Sequence, residues 1–138
     1  MKHVFLFAGL FLIFLSACDE KEKDDLANTE SNSVEDINSL AVFETRIASG
    51  VSMVFFHASW CTVCAEQRPA FEATSANQAF ANVFFGEVEF EANNDINQPY
   101  GITGFPSIVF YKDGVEQSRL TGKGHSQATL EAAINALL

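Results

Sequence analysis

The pattern of apolar and polar residues divides the chain into three parts. An almost unbroken apolar run covers residues 4–15, a charged and polar stretch covers residues 19–33, and apolar residues recur at regular spacing from residue 34 to the end. The apolar residues of Val51–His57 occupy both parities, which predicts a central strand covered on both faces. The pattern therefore predicts one folded domain over residues 34–138.

Two predicted helices flank this strand in the sequence. Ser33, with Asp36 three residues later, resembles a capping box, and helical spacing continues until Gly50. A second helix is predicted from Cys61 to Ser75. Pro69 inside it removes one backbone hydrogen bond and should bend the helix. A strand between two helices indicates an α/β fold.

The rest of the domain predicts a strand, a hairpin and a final helix. Residues 83–91 have a strand pattern with Glu on one parity, and a short Asn-rich segment follows. The pair Asp113-Gly114 separates strand-like runs at 108–111 and 115–120, which is typical of a β-hairpin. Ser126 then precedes an apolar stripe at helical spacing, formed by Leu130, Ala133, Ile134, Leu137 and Leu138.

Composition narrows the range of partners. Of the 138 residues, 48% are hydrophobic, which is enough to build one core. The 18 Asp and Glu residues exceed the 8 Lys and Arg residues, so the formal charge is −10. Nucleic-acid binding needs a basic stripe on the surface, so no nucleic-acid partner is expected.

The N-terminus has the layout of a lipoprotein signal peptide over residues 1–17. Its apolar run is shorter than the roughly 20 residues that span a bilayer. The sequence Leu15-Ser16-Ala17-Cys18 resembles the bacterial lipobox, which implies cleavage before Cys18 and lipid attachment to this cysteine. The alternatives are an uncleaved apolar anchor and an ordinary signal peptide with an incidental cysteine.

Residues 18–33 are predicted to form the lipidated cysteine and a disordered acidic tether. They contain hardly any residue that a core could bury. Asp19, directly after Cys18, resembles an inner-membrane retention signal of enteric-type bacteria. The expected location is therefore the bacterial cell envelope, with lipid anchoring the domain to the outer face of the inner membrane.

Cys61 and Cys64 are the candidate reactive residues of the domain. Only Thr62 and Val63 separate them, so the two thiols are close enough to form a small disulfide. A helix that begins near Cys61 places both cysteines on one face of its first turn. Its unpaired N–H groups and dipole stabilise a thiolate there, and the thiolate is the nucleophile in disulfide exchange.

Residues 34–138 resemble the thioredoxin family over nearly their whole length. The resemblance is carried by Trp60-Cys61-Thr62-Val63-Cys64, Pro69, Tyr100-Gly101-Ile102, Gly104-Phe105-Pro106-Ser107, the Lys112-Asp113-Gly114 turn and the C-terminal helix. It implies a thioredoxin fold, in which helices flank a central mixed β-sheet. It also implies that Cys61 attacks, that Cys64 resolves, and that the bond between Phe105 and Pro106 is cis.

The residues beside the cysteines are expected to shape the site and bind substrate. They are Trp60, Thr62, Val63, Phe105 and Pro106. Proline has no N–H and fixes a turn, so the backbone of Phe105 is left to pair with an extended substrate segment. The alternatives are a proline tolerated at the start of a strand for Pro106, and a packed aromatic for Trp60.

The sequence departs from thioredoxins at the expected proton acceptor. The family keeps a buried Asp six residues before the first cysteine and a Lys associated with it, and these positions are Phe55 and Glu87 here. Glu87 is a candidate acceptor for the proton of the resolving thiol, because partial burial can suit a carboxylate to proton exchange. Alternatively, it belongs to a solvated face with Glu89 and Glu91.

Two histidines are expected to have minor roles. His57 is interpreted as a sheet residue near the site, with tuning of the thiolate as the alternative, and His125 is expected in solvent. Zinc or copper binding by Cys61 and Cys64 is an alternative function. Structural zinc normally takes four Cys or His ligands, and only His57 and His125 remain available once the signal peptide is cleaved and Cys18 is lipidated. A redox-inert binding or chaperone module is another alternative.

The leading functional hypothesis is thiol-disulfide exchange by a membrane-tethered extracytoplasmic domain. The expected substrates are disulfide-containing exported proteins, and a membrane electron carrier of the thiol-redox type is expected to reduce the pair again. No cofactor is expected, since the two sulfurs carry both electrons. The reductase direction is favoured, and an oxidant or isomerase is the alternative.

Overall fold

The computed structural model describes residues 32–138. The predicted signal peptide, Cys18 and the tether up to residue 31 lie outside the described residues. The strands are β1 (Glu35–Asp36), β2 (Val51–His57), β3 (Phe84–Glu89), β4 (Ser107–Lys112) and β5 (Val115–Thr121). The helices are α1 (Leu40–Ile47), α2 (Thr62–Ser75), α3 (Asn94–Asn97) and α4 (Gln127–Asn135), with a short 3-10 helix at Gln78–Phe80. Among these residues, no helix is long and apolar enough to cross a membrane.

The five strands form one mixed sheet in the order β1-β3-β2-β4-β5. Strands β1 and β2 both run parallel to β3, whereas β4 is antiparallel to β2 and to β5. The predicted central strand is confirmed, since β2 lies between β3 and β4 and its first six residues are buried. The mixed sheet of the predicted fold is confirmed as well.

Each face of the sheet has its own core. On one face, Phe55 of β2 packs in a cluster with Phe71 of α2 and Leu130 of α4. On the other face, Phe56 of β2 belongs to a cluster with residues of α1 and α3, among them Phe43. Both parities of β2 are therefore needed for burial, which explains why its apolar residues do not alternate with polar ones.

The predicted start of the first helix is wrong. Residues 35–36 form β1, and the helix begins at Leu40 with Ser39 as its cap. Ile37 is fully buried and its N–H donates to the carbonyl oxygen of Glu87 at 2.8 Å. Pairing with the edge of β3 thus outweighs the local capping pattern, because it satisfies backbone groups and buries an apolar side chain.

The predicted hairpin, the helix from about Cys61 to Ser75 and the start of the final helix after Ser126 are confirmed. The final helix ends at Asn135, however, so Leu137 and Leu138 of the predicted stripe lie beyond it, and Leu138 is exposed. Asp113 and Gly114 have φ values of 50° and 81°, the left-handed backbone that a two-residue hairpin turn requires. Pro69 lies inside α2, and the side chain of Ser126 accepts a hydrogen bond from the N–H of Thr129 at the start of α4. The bend at Pro69 stays a prediction.

Candidate active site

The two cysteines lie where β2 gives way to α2. After β2 ends at His57, a tight turn closes when the N–H of Cys61 donates to the carbonyl oxygen of Ala58 at 3.1 Å. Cys61 is the N-cap of α2, so the turn delivers this residue to the positive end of the helix. The sequence prediction for this junction is confirmed.

Cys61 and Cys64 form a disulfide with their Cα atoms 5.2 Å apart. The backbone N–H of Cys64 donates to Sγ of Cys61 at 3.1 Å, which is the contact that would stabilise a Cys61 thiolate after reduction. Cys61 is 9% exposed and Cys64 is 3% exposed. The sulfur that the helix terminus stabilises therefore belongs to the more accessible cysteine, as an attacking thiol requires.

An aromatic surface borders the disulfide. Trp60 is 63% exposed, and its ring lies edge-on to Phe105 with centroids 5.3 Å apart. Phe105 in turn contacts Phe90 at 4.8 Å. The indole N–H of Trp60 donates to Glu91 at 2.9 Å, a contact that the sequence did not indicate. Trp60 is therefore both a packed aromatic and an accessible one.

The loop before β4 completes this border. The peptide bond between Phe105 and Pro106 is cis, as the family resemblance implied. The carbonyl oxygen of Pro106 accepts a hydrogen bond from Gly122 at 2.9 Å, which joins the loop to the end of β5. The two residues between the cysteines belong to the first turn of α2, which begins at Thr62, and Val63 is 37% exposed.

Phe55 fills the core on the same side of the sheet as the disulfide. Its side chain is fully buried, stacks on Phe71 with centroids 5.1 Å apart and belongs to the cluster that contains both cysteines. The guanidinium of Arg68 lies 5.3 Å from the centre of the Phe55 ring. An apolar ring therefore occupies the place that the sequence comparison marked for an acid.

Glu87 lies beside Phe55 on the neighbouring strand and is not part of an open acidic face. Its carboxylate accepts a hydrogen bond from Arg68 at 2.6 Å and lies 3.4 Å from Nε2 of His57. Only 22% of its side chain is exposed. No local pattern indicated Arg68 as its partner, because Arg68 lies on α2, 19 residues before Glu87. Glu87 is therefore a partly buried, ion-paired carboxylate rather than a freely solvated one.

The comparisons with known proteins agree with this geometry. The family model described as Thioredoxin matches residues 33–136. The chain belongs to the thioredoxin family. Membership, together with the Cys61–Cys64 disulfide, makes the protein a thioredoxin-type thiol-disulfide oxidoreductase.

Thioredoxins from distant organisms cover most of the domain. Thioredoxin Asp f 29 of Aspergillus fumigatus is 31% identical over 108 residues, covering 77% of this chain and 96% of the relative. An H-type thioredoxin of Chlamydomonas reinhardtii is 35% identical over 103 residues, covering 71% of this chain and 88% of the relative. The crystal structure of the Malassezia sympodialis thioredoxin Mala s 13 matches with a TM-score of 0.68 and 31% identity, covering 77% of this chain and 91% of that one.

The loop after β5 is tied to α2 of this thioredoxin fold by a buried glutamine. Gln67 is 1% exposed. Its side-chain N–H donates to the carbonyl oxygen of His125 at 2.7 Å, and its side-chain oxygen accepts a hydrogen bond from the backbone N–H of His125 at 3.0 Å. The imidazole of His125 contacts the carbonyl oxygen of Thr121 at 3.0 Å. His125 therefore anchors the loop rather than extending freely into solvent. Within residues 32–138, no group of three or more His, Cys, Asp and Glu side chains is arranged to hold a metal ion.

Burial lowers the pKa of His57 below its usual value of 6.5, and the nearby Arg68 acts in the same direction. The carboxylates of Glu87, Glu89 and Asp36 oppose this shift without overcoming it. The ring is stacked on Phe55 at 5.4 Å. The fold therefore disfavours the charged form of His57.

This pKa shift predicts a pH-dependent stability. As the pH falls from the ordinary pKa of 6.5 toward the lower pKa of the folded state, the unfolded chain binds a proton at this position more readily than the folded chain, so the folded state loses stability over this interval. In urea unfolding at about pH 7.5 and about pH 5.5, we expect His57→Gln to lose less stability than the parent over this interval. A His125→Gln variant serves as the control, and equal losses in His57→Gln and the parent would contradict the prediction.

Proposed function

We propose that this thioredoxin-family protein is a membrane-tethered reductase of disulfides in exported proteins. The observation that carries the chemistry is the Cys61–Cys64 disulfide at the N-terminus of α2, bordered by the exposed Trp60 and the Phe105–Pro106 loop. The sequence before residue 32 supports the tether, because it combines a signal-peptide pattern with a lipobox at Cys18.

The proposed reaction transfers two electrons from the reduced pair to a substrate disulfide. The Cys61 thiolate attacks one substrate sulfur, forming a mixed disulfide and releasing the other substrate sulfur as a thiolate. Cys64 then loses its proton and attacks Sγ of Cys61, which releases the second substrate thiolate and forms the Cys61–Cys64 disulfide. Both substrate thiolates take up protons. The helix terminus at Cys61 favours the first step because it stabilises the attacking thiolate.

A second exchange must restore the reduced pair. We propose that a dithiol of a membrane electron carrier attacks the Cys61–Cys64 disulfide and becomes a disulfide itself, so that electrons and protons balance without a cofactor. Tethering to the outer face of the inner membrane would hold the domain close to such a carrier. The more accessible Cys61 is the sulfur that the carrier would attack first.

The direction of electron flow is tested by trapping the thiols in intact cells. Acid quenching followed by an alkylating reagent of high mass separates the reduced from the oxidised protein on a gel. We expect the Cys61–Cys64 pair to be mainly reduced at steady state, and mainly oxidised when the membrane carrier is inactivated. A mainly oxidised pair in unperturbed cells would overturn the reductase proposal in favour of an oxidant or isomerase.

The tether is tested separately through Cys18. Metabolic labelling with a fatty acid should label the parent protein but not a Cys18→Ser variant, and the variant should not fractionate with the membrane as a mature lipoprotein. A Cys61→Ser variant is the matched control, since it should keep the label. Labelling that survives in Cys18→Ser would refute the proposed lipid site.

We further propose that Glu87 accepts the proton of the resolving thiol. Glu87 pairs across the sheet with Phe55, and the Phe55 ring lies in the same core cluster as Cys64. The Glu87 carboxylate contacts both Arg68 and His57. A partly buried carboxylate within reach of the reacting group can serve as a general base. His57 is placed to pass the proton onward, because its Nε2 faces the Glu87 carboxylate.

Glu87→Gln should slow the resolving step about tenfold or more near neutral pH, because general bases contribute at least this much where they act. The resolving rate should then rise more steeply with pH, since hydroxide must replace the lost acceptor. Glu72→Gln is the matched control, because Glu72 also contacts Arg68, at 3.6 Å. A Glu87→Gln variant with the rate and pH profile of the parent would exclude the proposed role.

A further inference from the structure

Arg119 of β5 makes an unusual set of contacts with the loop that leads to Pro106. Its Nη1 donates to the carbonyl oxygen of Gly101 at 2.7 Å, and its Nη2 donates to that of Tyr100 at 2.9 Å. The same guanidinium binds both carboxylate oxygens of Glu116, at 2.9 and 2.8 Å. One side chain therefore joins two consecutive loop carbonyls to the sheet through charge-assisted hydrogen bonds.

A β-bulge makes this arrangement possible. Tyr111 pairs with Glu116 and Phe110 pairs with Ser118, so Gln117 is an extra residue in β5. Residues three apart in a regular strand point to opposite faces, and one extra residue brings them to the same face. The bulge thus allows Glu116 to hold the guanidinium of Arg119 in a fixed orientation.

The loop has little other support on the β5 side. An open cleft of about 390 Å³ lies between residues 103–107 and the β5 end, where Arg119, Thr121 and Gly122 line it. Side chains therefore do not pack the loop against β5 in this region. Between the loop and β5, the hydrogen bonds of the described residues are those of Arg119 to residues 100–101 and that of Gly122 to Pro106.

We infer that Arg119 is a positioning residue for substrate binding. Its guanidinium holds the loop of residues 100–106 in the position in which the loop backbone can pair with an extended substrate. The inference rests on the proposed function, in which the backbone of Phe105 pairs with an extended substrate segment. Without the guanidinium, the two loop carbonyls lose their partner and the loop gains freedom that substrate binding must then restrict. Binding of extended substrates should weaken, whereas the chemistry at the sulfurs should not change.

The test separates binding from chemistry. Trp60 is the only tryptophan of the chain and precedes Cys61 directly, so its fluorescence reports oxidation of the reduced protein in a stopped-flow experiment. One substrate is an extended peptide with a single intramolecular disulfide. The other is the small aromatic disulfide dithiobis-nitrobenzoate, which has no peptide backbone to pair with the loop.

For Arg119→Ala, we expect the half-saturating peptide concentration to rise about tenfold, as loss of two charge-assisted hydrogen bonds implies. The limiting rate with the peptide and the rate with the aromatic disulfide should stay within about twofold of the parent. Arg119→Lys keeps the charge but lacks the planar fork, so it should show a smaller change of the same kind. This variant also provides the comparison if Arg119→Ala does not fold.

Arg46→Ala is the matched control for loss of a surface arginine. Arg46 binds Glu35 through the same two-bond arrangement, at 2.9 and 2.8 Å, and lies on α1. Unchanged peptide binding in Arg119→Ala, or a parallel fall with both substrates, would overturn the inference. A parent protein that reduces neither substrate would instead refute the proposed function, so the two failures are distinguishable.

Discussion

Replacing Cys61 with serine should lower the rate of insulin reduction by more than about a thousandfold, because a hydroxyl at this position supplies no usable nucleophile. Replacing Cys64 should have a different result. The Cys64→Ser protein keeps the attacking thiol and loses the resolving one, so it should accumulate as a mixed disulfide with its substrate. Mass spectrometry of the quenched reaction detects this covalent complex.

A Cys18→Ser variant is the control for loss of a cysteine as such, and it should reduce insulin at the parent rate when purified in the same detergent. The experiment also tests which thiol attacks. If Cys61→Ser traps the substrate and Cys64→Ser does not, the assigned order of attack is wrong. If Cys61→Ser and Cys64→Ser both reduce insulin at the parent rate, the Cys61–Cys64 pair is not the redox centre.

Replacing Phe55 with alanine should produce the largest loss of stability, about 3–5 kcal/mol in the free energy of unfolding. The side chain is fully buried and contacts Phe71, His57 and Arg68, so its removal leaves a cavity in the core. Domains of this kind are stabilised by only about 5–15 kcal/mol in total. The variant should therefore unfold at much lower urea concentration than the parent.

Phe55→Leu is the matched control, because it keeps most of the buried volume and should cost no more than about 1.5 kcal/mol. Trp60→Phe, an exposed aromatic substitution, should change the stability by about 0.5 kcal/mol or less. Far-UV circular dichroism in urea measures all three variants. An Ala variant as stable as the Leu variant would show that Phe55 does not carry the packing assigned to it.

Local sequence signals were sufficient where a residue's partners are close in the chain. The turn at Asp113-Gly114, the cap at Ser126 and the junction of β2 with Cys61 all follow from neighbouring residues, and the structure has each of them at the expected place. The family resemblance added the cis bond before Pro106, which no local pattern of apolar residues could indicate.

Local signals failed where the partner is distant. Ser33 and Asp36 form a plausible helix cap, yet β1 is decided by β3, about 50 residues later in the chain. The environment of Glu87 is decided in the same way, because alternation along β3 cannot reveal that Arg68 of α2 covers the carboxylate. Arg119 was not predicted at all, since its role depends on a bulge and on carbonyl oxygens of another loop.

The bulge in β5 also affects how copies of the protein behave beside one another. Among the described strands, β5 pairs only with β4, so its outer edge is open, and Val115–Ser118 are exposed there. An open edge is a template for strand addition by a neighbouring chain. The extra residue at Gln117 and the charge of Glu116 make this edge irregular, which disfavours edge-to-edge association of two sheets.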